Sequence, residues 1–372
     1  MSIQRHELPY HSAIMLGCDP EIFLAREVGK LKKRTRIVGS EAVIPVNGLL
    51  GPSSFSKLTR DGVQVELHPY QATCRANMSN DLSGLFQALK TTLARHPGIK
   101  VDFSQVVRLT KGDLMRISPE GRQLGCMPSL NAYGRKFIQK NGEKYRYRSA
   151  SGHVHIGCTT FSAAKDEDMV RYVHIYDTIV GNTCILLDRD PNAALRRKLY
   201  GRAGEYRRPA HGLEYRTLSN FWLLGYPLFS MVMGLAYQAA RVAQSKSSIS
   251  AVANHKPCGA WDVRGAVWDA ETALMKDVDL TAIETAINTN DFDLALSNYQ
   301  KWVRPFFDQV QSIKGLQSSN LNNFDKFVAG VQKNGLKHYF PQDPLDHWTT
   351  KGDGHGKGWE TFIDEFALKF KE

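Results

Sequence analysis

Short runs that mix apolar and polar positions predict β-strands at three places in the first half of the chain. They are residues 14–26, residues 61–68 and residues 151–161. The alternation is clearest in the second run, where valine or leucine occupies every second position from residue 63 to residue 67. This period predicts a strand with one apolar face and one polar face.

Longer apolar patterns with helical spacing follow these strands. The predicted helices are residues 80–95, 165–188 and 222–245. Asn80 or Asp81 is expected to cap the first helix, and His96-Pro97-Gly98 to end it. After about residue 260, helical stretches alternate with polar turns.

Polar, glycine-rich segments separate these elements. Residues 111–147 predict loops with short strands, and residues 196–211 predict a basic loop. The order of strands and helices favours an α+β fold, with an antiparallel or mixed sheet and helices on one face. Because the clustered polar motifs all precede about residue 255, we expect a main domain at 1–255 and a helical extension, packed on it, at 256–372.

One uncharged segment raises the question of a membrane. Residues 217–240 contain no charged residue and are long enough to span a bilayer. The segment nevertheless includes Ser219, Asn220 and Pro227, and a dense polar motif precedes it. We therefore expect a buried core helix and no membrane partner.

Composition narrows the compartment and the partners. The chain has 48 Lys and Arg residues against 37 Asp and Glu residues, a net charge of +11, which favours anionic partners. Its six cysteines form no C-x-x-C pair, and the N-terminus lacks the apolar core of a signal peptide. Both observations predict a cytoplasmic protein with free thiols.

Two carboxylate motifs lie in the first two predicted strands. Asp19 and Glu21 are two residues apart, so on a strand they would share one face, where a cation could neutralise them. Glu66 lies on the polar face of residues 61–68, and Arg60 and Arg75 flank it as candidate partners for a carboxylate or a phosphate. Taken alone, each motif is also typical of a solvent-exposed strand face.

Histidine and arginine motifs follow. His153 and His155 alternate between glycines, which is typical of metal ligands or of groups that bind phosphate or transfer protons. The flanking glycines, Gly152 and Gly157, are expected to let a large ligand approach the backbone. Residues 200–209 combine glycine with arginine, as a phosphate-binding loop does, and Glu214 and Arg216 alternate onto one strand face. Carboxylate and imidazole groups in such numbers suit Mg²⁺ or Mn²⁺ bridging nucleotide phosphates, although the chain has no P-loop or dinucleotide-binding motif.

These motifs together resemble those of the carboxylate–amine ligases of the glutamine synthetase-like superfamily, relatives of glutamate–cysteine ligase. The resemblance is stronger to the type 2 COOH–NH2 ligases, an amidoligase type of tailed phages and some bacteria. The motifs that carry it are G-C-D-P-E-I-F at 17–23, V-E-L-H-P at 65–69, G-H-V-H-I-G at 152–157 and R-R-P-A-H-G-L-E-Y-R-T-L-S-N at 207–220. It covers about residues 14–240.

The resemblance implies an antiparallel sheet that holds ATP and Mg²⁺ or Mn²⁺, and an amide bond formed through an acyl phosphate. The implied metal ligands are Asp19, Glu21, Glu66, Glu214 and His153. The implied catalytic residues are Arg216, Glu214 and His155, and the cofactor-binding residues are Arg202, Arg207 and His153, with Arg75 from its place beside Glu66. Either histidine could complete the cation sites or contact phosphate. Asp19 departs from the E-x-E of the wider superfamily, and its shorter side chain puts one metal site in doubt.

The implied partners are a small-molecule or peptide carboxylate and an amine, in the host cytoplasm if a phage encodes the protein. A homo-oligomer remains open. One rival function is a phosphotransferase like the guanidino kinases, which share the superfold. The other is a basic protein, virion-associated or nucleic-acid-binding, without turnover; it is not favoured because the arginines cluster near carboxylates and glycines.

Overall fold

The computed structural model describes residues 14–28, 34–124, 129–136, 145–245, 262–263, 266–267, 270–313, 319–350 and 358–369. The strands are β1 Met15–Cys18, β2 Glu21–Val28, β3 Arg34–Val38, β4 Leu49–Leu50, β5 Lys57–Asp61, β6 Gln64–His68, β7 Ile99–Asp102, β8 Val106–Arg108, β9 Leu130–Asn131, β10 Tyr147–Ser149, β11 Val154–Gly157, β12 Glu205–Arg207, β13 Gly212–Tyr215, β14 Asp262–Val263 and β15 Ala266–Val267.

The α-helices are α1 Arg75–Leu93, α2 Lys111–Arg116, α3 Pro119–Arg122, α4 Thr159–Ser162, α5 Asp166–Tyr176, α6 Asn182–Ile185, α7 Ala193–Leu199, α8 Tyr226–Gln244, α9 Ala270–Met275, α10 Leu280–Thr289, α11 Phe292–Asn298, α12 Arg304–Ile313, α13 Ser319–Asn334, α14 Leu336–Tyr339, α15 Pro344–Thr349 and α16 Trp359–Lys369. Short 3₁₀ segments lie at Ser40–Ala42 and Asn220–Leu224, and π-helical turns lie at Asp177–Gly181 and Tyr299–Val303.

Two antiparallel sheets form the frame of the molecule. The first has the order β1-β11-β13-β12-β9, and the second has the order β3-β2-β6-β5-β4, with β7 also pairing with β2. The chain passes from the first sheet to the second across Asp19-Pro20, between β1 and β2. With helices concentrated in the C-terminal region, this confirms the predicted α+β class.

The uncharged segment is a core helix, as predicted. Along α8, Leu228, Phe229, Val232 and Met233 are each fully buried. Because all four also belong to one large hydrophobic cluster with residues of the first sheet, the helix supports that sheet from behind. Among the helices that the described residues form, none is both long and apolar enough to cross a membrane.

Two predictions about local structure are wrong. Helix α1 begins at Arg75, and Asp81 does not cap it but accepts a hydrogen bond at 2.6 Å from the backbone N–H of Tyr70. Part of the expected basic loop at 196–211 is helix α7. The backbone carbonyls around α7 satisfy its two central arginines: Arg196 is fully buried and donates to the carbonyls of Ala150, Thr217 and Leu218, and Arg197 donates to those of Gly201 and Thr217.

The region of residues 111–147 also differs from its prediction, because α2 and α3 are short helices there in addition to the short strand β9. From residue 270 onward, the described residues form mostly helices, and Trp348 among them is fully buried and donates to the carbonyl of Leu223 at 2.8 Å. The predicted boundary at residue 255 lies outside the described residues and stays a prediction.

The cysteines follow the expectation of free thiols in the part of the chain that the structure describes. Cys18, Cys74, Cys158 and Cys184 form no disulfide. The other two cysteines of the sequence, Cys126 and Cys258, lie outside the described residues.

Candidate active site

A cavity of about 630 Å³ is lined by residues of both sheets. Its lining contains seven of the ten predicted site residues and lacks Glu214, Arg75 and Arg202. The lining residues are Met15, Leu16, Gly17, Cys18, Asp19, Glu21, Phe55, Lys57, Asp61, Glu66, His68, Pro69, Gln71, His153, His155, Gly157, Arg207, His211 and Arg216.

The first sheet contributes a histidine–arginine cluster, and all of its members except Glu214 line the cavity. Its members are Asp19, His153, His155, Arg207, Glu214 and Arg216. Strand register brings them together, because His155 lies opposite Gly17 on one side and opposite Glu214 on the other. Arg207 in turn lies opposite Glu214 on the next strand. The motifs are far apart in sequence, and the pairing of β1, β11, β13 and β12 makes them neighbours.

The carboxylate of Asp19 contacts the imidazole rings of His153 and His155. Its Oδ1 lies 3.1 Å from Nδ1 of His153, and its Oδ2 lies 3.1 Å from Nε2 of His155. The two histidines therefore face the same carboxylate, as their spacing predicts. Burial alone raises the pKa of Asp19, but the charges of His155 and His153 outweigh it and hold that pKa well below its ordinary value. Asp19 is thus a buried, ionised carboxylate.

The carboxylate of Glu214 pairs with the guanidinium groups of Arg207 and Arg216. Its Oε1 lies 2.6 Å from Nη2 of Arg207 and 3.1 Å from Nε of Arg216. Nδ1 of His153 lies 3.6 Å from the same oxygen. The ring of Tyr200 lies beneath Arg216, with the guanidinium carbon 4.8 Å from the ring centroid. Glu214 and Arg216 share one face of the strand and its continuation, as predicted.

The second sheet contributes an acidic cluster of Glu21, Asp61 and Glu66. Glu21 lies opposite Glu66 in the pairing of β2 with β6, and Asp61 ends the neighbouring strand β5. Burial, followed by the charges of Asp61 and Glu66, raises the pKa of Glu21 well above its ordinary value. Burial and the charge of Glu66 also raise the pKa of Asp61. The cluster brings three carboxylates together, and the imidazole that faces it is that of His68, whose Nε2 lies 2.9 Å from Oε2 of Glu66.

Both clusters have the geometry and the donors of a cation site. Asp19, His155 and Glu214 each offer one ligand atom, and these atoms lie within 4.8 Å of one another. Glu21, Asp61 and Glu66 meet the same condition. Carboxylate oxygens suit Mg²⁺ and Mn²⁺, and imidazole is also compatible with Mn²⁺.

Buried polar atoms support the same interpretation. Oδ1 of Asp19, Nδ1 of His153 and Nε2 of His155 are buried at ion-pair distances, yet none makes a hydrogen bond of acceptable geometry among the described residues. Buried polar atoms are rarely left in this state, and a bound ion is one of the few arrangements that satisfies them.

A family comparison places this geometry in context. Residues 140–320 match the family described as phage phiEco32-like COOH.NH2 ligase-type 2. This match supports the assignment of the chain to a phage-type amidoligase family. A search of curated proteins finds no match. The family name supports a carboxylate–amine ligase.

The matched segment contains only part of the candidate site. His153, His155, Arg207, Glu214 and Arg216 lie within it, whereas Asp19 and the acidic cluster lie outside it. The match also continues to residue 320, well beyond the end of the motif resemblance near residue 240. Geometry alone therefore connects the acidic cluster with the matched part of the chain.

The structure brings together most, but not all, of the predicted site residues. Arg75 lies outside the cavity, where it donates to Ser230 and pairs with Glu360 at 3.1 Å. Arg202 also lies outside it, because it pairs with Glu205 at 3.0 Å. The structure gives neither arginine a contact with the cavity among the described residues, so their predicted role in cofactor binding has no geometric support.

Two interpretations of local geometry are corrected. Asp19 and Glu21 do not lie side by side on one strand face: Asp19 precedes β2, and each carboxylate joins a different cluster. Gly152 does not serve the approach of a ligand. A Cβ atom there would lie 2.3 Å from the carbonyl oxygen of Ser219 and 2.4 Å from Nε1 of Trp222, so internal packing requires the glycine.

The sequence interpretation missed Asp61 and the cavity residues Lys57 and His211. A signal for Asp61 was available, because Asp61-Gly62 is typical of a tight hairpin turn. Gly62 has a φ of +57° in the turn between β5 and β6, where Asp61 lies opposite Gln64. This register puts Asp61 on the same face as Glu66.

Proposed function

We propose that this protein uses ATP and Mg²⁺ or Mn²⁺ to join a carboxylate and an amine through an acyl phosphate. The observation that carries the proposal is that one cavity is lined by two arginines and by five of the six residues of the two three-ligand clusters. The sixth cluster residue, Glu214, pairs with both arginines. Two cation sites next to forked positive donors are the arrangement that phosphoryl transfer requires.

The proposed role of each residue follows from its charge. The acidic cluster and the group of Asp19, His155 and Glu214 would hold the divalent cations. When bound, Mg·ATP supplies the phosphoryl group that activates the substrate carboxylate. Arg207 and Arg216 stabilise the negative charge that develops during transfer, because each carries a planar set of N–H donors at the cavity wall.

A pair of imidazoles is available for the proton that the amine must lose. Nδ1 of His155 lies 3.2 Å from Nε2 of His211, and both residues line the cavity. Burial and the charge of His155 lower the pKa of His211, which keeps its ring neutral and able to accept a proton. In this proposal His155 is held by Asp19, and its partner His211 receives the proton of the attacking amine.

The test is phosphate release from Mg·ATP by the full chain, with pools of amino acids, polyamines and nucleotide carboxylates. We expect turnover that needs both a carboxylate and an amine, and that Glu214→Gln removes. Glu27→Gln is the matched control, because Glu27 lies in the second sheet outside the cavity and pairs with the exposed Lys100.

The products distinguish this function from its rivals. A phosphorylated acceptor that accumulates without an amide would show a phosphotransferase. An absence of turnover together with an absence of ATP binding in calorimetry would contradict the ligase and favour a binding protein.

A further inference from the structure

The β5–β6 hairpin presents an ordered row of side chains to the cavity. Asp61 is nearest the turn, Glu66 comes next, and Lys57 lies opposite His68 one step further along. Beyond the strands, the same alignment brings Phe55 next to Tyr70, with ring centroids 5.5 Å apart. The row therefore changes from acidic to basic to aromatic along one face.

The aromatic end of this row is exposed. Phe55 is 69% exposed and lines the cavity, and Tyr70 is 42% exposed. The two rings are adjacent and one of them lines the cavity, so they leave apolar surface in water that a bound ligand would cover favourably.

The backbone that carries these rings is fixed. Ser56 is fully buried and exchanges hydrogen bonds with Ser53 at 3.0 to 3.2 Å, which closes the turn that contains Phe55. The backbone N–H of Tyr70 donates to Asp81 at 2.6 Å. The rings therefore stand on a preorganised support, as a binding surface requires.

The spacing of the row suits a nucleotide. Tyr70 lies four positions after Glu66, which corresponds to about 13 Å along an extended chain. This is comparable with the reach of a nucleoside triphosphate from its terminal phosphates to its base. Lys57 lies between these ends, is exposed, and makes no ion pair within the described residues.

We propose that the base of the nucleotide stacks on Phe55 and Tyr70, while Lys57 contacts its phosphates and the acidic cluster holds their cation. The inference rests on the proposed function and deepens it, because it gives the nucleotide one direction along β5 and β6. Stacking on a ring face does not select among bases, so the subsite recognises a planar base by its surface.

The test separates the base from the phosphates. Calorimetry measures the Kd of Mg·ATP and of Mg·tripolyphosphate, which has the phosphates but no base, for the full chain and its variants. Phe55→Ala should weaken Mg·ATP binding roughly ten- to a hundredfold and leave Mg·tripolyphosphate binding unchanged. Phe55→Tyr should retain wild-type affinity, because it keeps the ring.

Two further variants serve as references. Lys57→Ala should weaken both ligands, because the lysine contacts phosphates. Met115→Ala should weaken neither, since Met115 is 81% exposed on α2 and does not line the cavity. Thermal unfolding checks that each variant folds.

Each contrary outcome has a separate meaning. If Phe55→Ala binds Mg·ATP as tightly as the wild type does, the stacking subsite is wrong and the ligase proposal stands. Equal weakening of both ligands by Phe55→Ala would also overturn the subsite, because the ring would then support the cavity and not the base. A wild-type protein that binds neither ligand would contradict the proposed function and this inference with it.

Discussion

The two clusters that share the cavity have opposite charge arrangements. In the histidine–arginine cluster, each carboxylate lies within ion-pair distance of cationic or imidazole groups: Asp19 faces two imidazoles, and Glu214 faces Arg207 and Arg216. In the acidic cluster, Glu21 and Asp61 face another carboxylate. The protein itself balances the first cluster, whereas in the second cluster the carboxylate of Glu66 faces the imidazole of His68 at 2.9 Å and the other two carboxylates face like charge.

The pKa directions follow this difference. The pKa of Asp19 is lowered despite its burial, whereas the pKa values of Glu21 and Asp61 are raised by burial and by neighbouring negative charge. In the proposed function, a divalent cation would supply the missing positive charge in the acidic cluster. We therefore expect the acidic cluster to depend on a cation for its charge balance, and the histidine–arginine cluster to persist without one.

The largest expected effect comes from a substitution in the histidine–arginine cluster. Glu214→Gln removes the charge that holds Arg207 and Arg216, so turnover of Mg·ATP should fall at least about a hundredfold. The metal-free protein should also lose about 1–3 kcal/mol of unfolding free energy, because Arg216 is buried and loses its ionic partner. Phosphate release and thermal unfolding measure the two effects.

Glu27→Gln is the control for this variant and should change neither value appreciably, since its partner Lys100 is exposed. Turnover of Glu214→Gln near that of the wild type would show that the assignment of Glu214 to the cation and phosphate site is wrong.

A substitution in the acidic cluster should raise the stability of the metal-free protein, whereas Glu214→Gln should lower it. Asp61→Asn removes one of three repelling carboxylates, so the metal-free protein should melt about 1–3 °C higher. Because a ligand is lost, the affinity for Mn²⁺ should fall about tenfold or more. Calorimetry with Mn²⁺ and thermal unfolding without metal test both effects on one variant.

The control for this variant is Asp346→Asn. Asp346 is exposed and pairs with Lys90, so its substitution should leave the affinity for Mn²⁺ unchanged. A loss of stability in metal-free Asp61→Asn would refute the contrast between the clusters, even if Mn²⁺ affinity also fell.

The pH dependence of stability sharpens the comparison further. Because Glu21 and Asp61 have raised pKa values, the folded protein keeps protons that the unfolded chain has lost. Their contribution to stability is complete below the ordinary pKa values and is lost as pH rises through the raised ones. Asp19 acts in the opposite sense: its contribution is present above its ordinary pKa and is lost as pH falls through the lowered one.

The expected result is a gain in melting temperature from Mg²⁺ that grows between about pH 5 and pH 8, because the cation replaces protons on the acidic cluster. Asp177, whose pKa burial raises to about 7, also lowers the stability of the protein as pH rises, but it lies outside the cavity lining and cancels in the difference with and without Mg²⁺. A gain that is constant with pH, or that decreases, would contradict the pKa directions of the acidic cluster.

Local periodicity predicted part of this site from the sequence. The period of two in residues 61–68 is confirmed by Val63, Val65 and Leu67, which are fully buried behind the polar face. It also predicted that the two histidines would share a face. The helix expected at 165–188 is present as α5, a π-helical turn and α6 in direct succession.

Properties that depend on distant residues could not be predicted in this way. Pro20 lies where the chain leaves one sheet for the other, so the spacing of Asp19 and Glu21 says nothing of the clusters that they join. Arg196 and Arg197 belong to a segment predicted as a basic loop, but they lie in a helix and carbonyls from remote segments satisfy them. Burial and strand pairing decide these roles.

The smallest expected effect concerns the tautomer of His153, in the histidine–arginine cluster. The hydroxyl of Tyr200 lies 3.2 Å from Nε2 of His153, while Nδ1 of the same ring faces Asp19 and Glu214. Tyr200→Phe removes this contact and keeps the ring beneath Arg216, so it should cost about 0.5–1.5 kcal/mol in unfolding free energy. Tyr200→Leu removes the ring as well, and should cost more because the guanidinium loses its aromatic surface.

The ¹⁵N chemical shifts of the His153 ring distinguish an effect on the tautomer from a loss of packing. If Tyr200 selects the tautomer, Tyr200→Phe changes the ring shifts of His153 with little loss of stability, and ATP turnover falls only a few-fold. Unchanged shifts in Tyr200→Phe would mean that Asp19 alone orients the imidazole. The charge balance of the first cluster would then rest on Asp19 and the two arginines, without a contribution from the tyrosine.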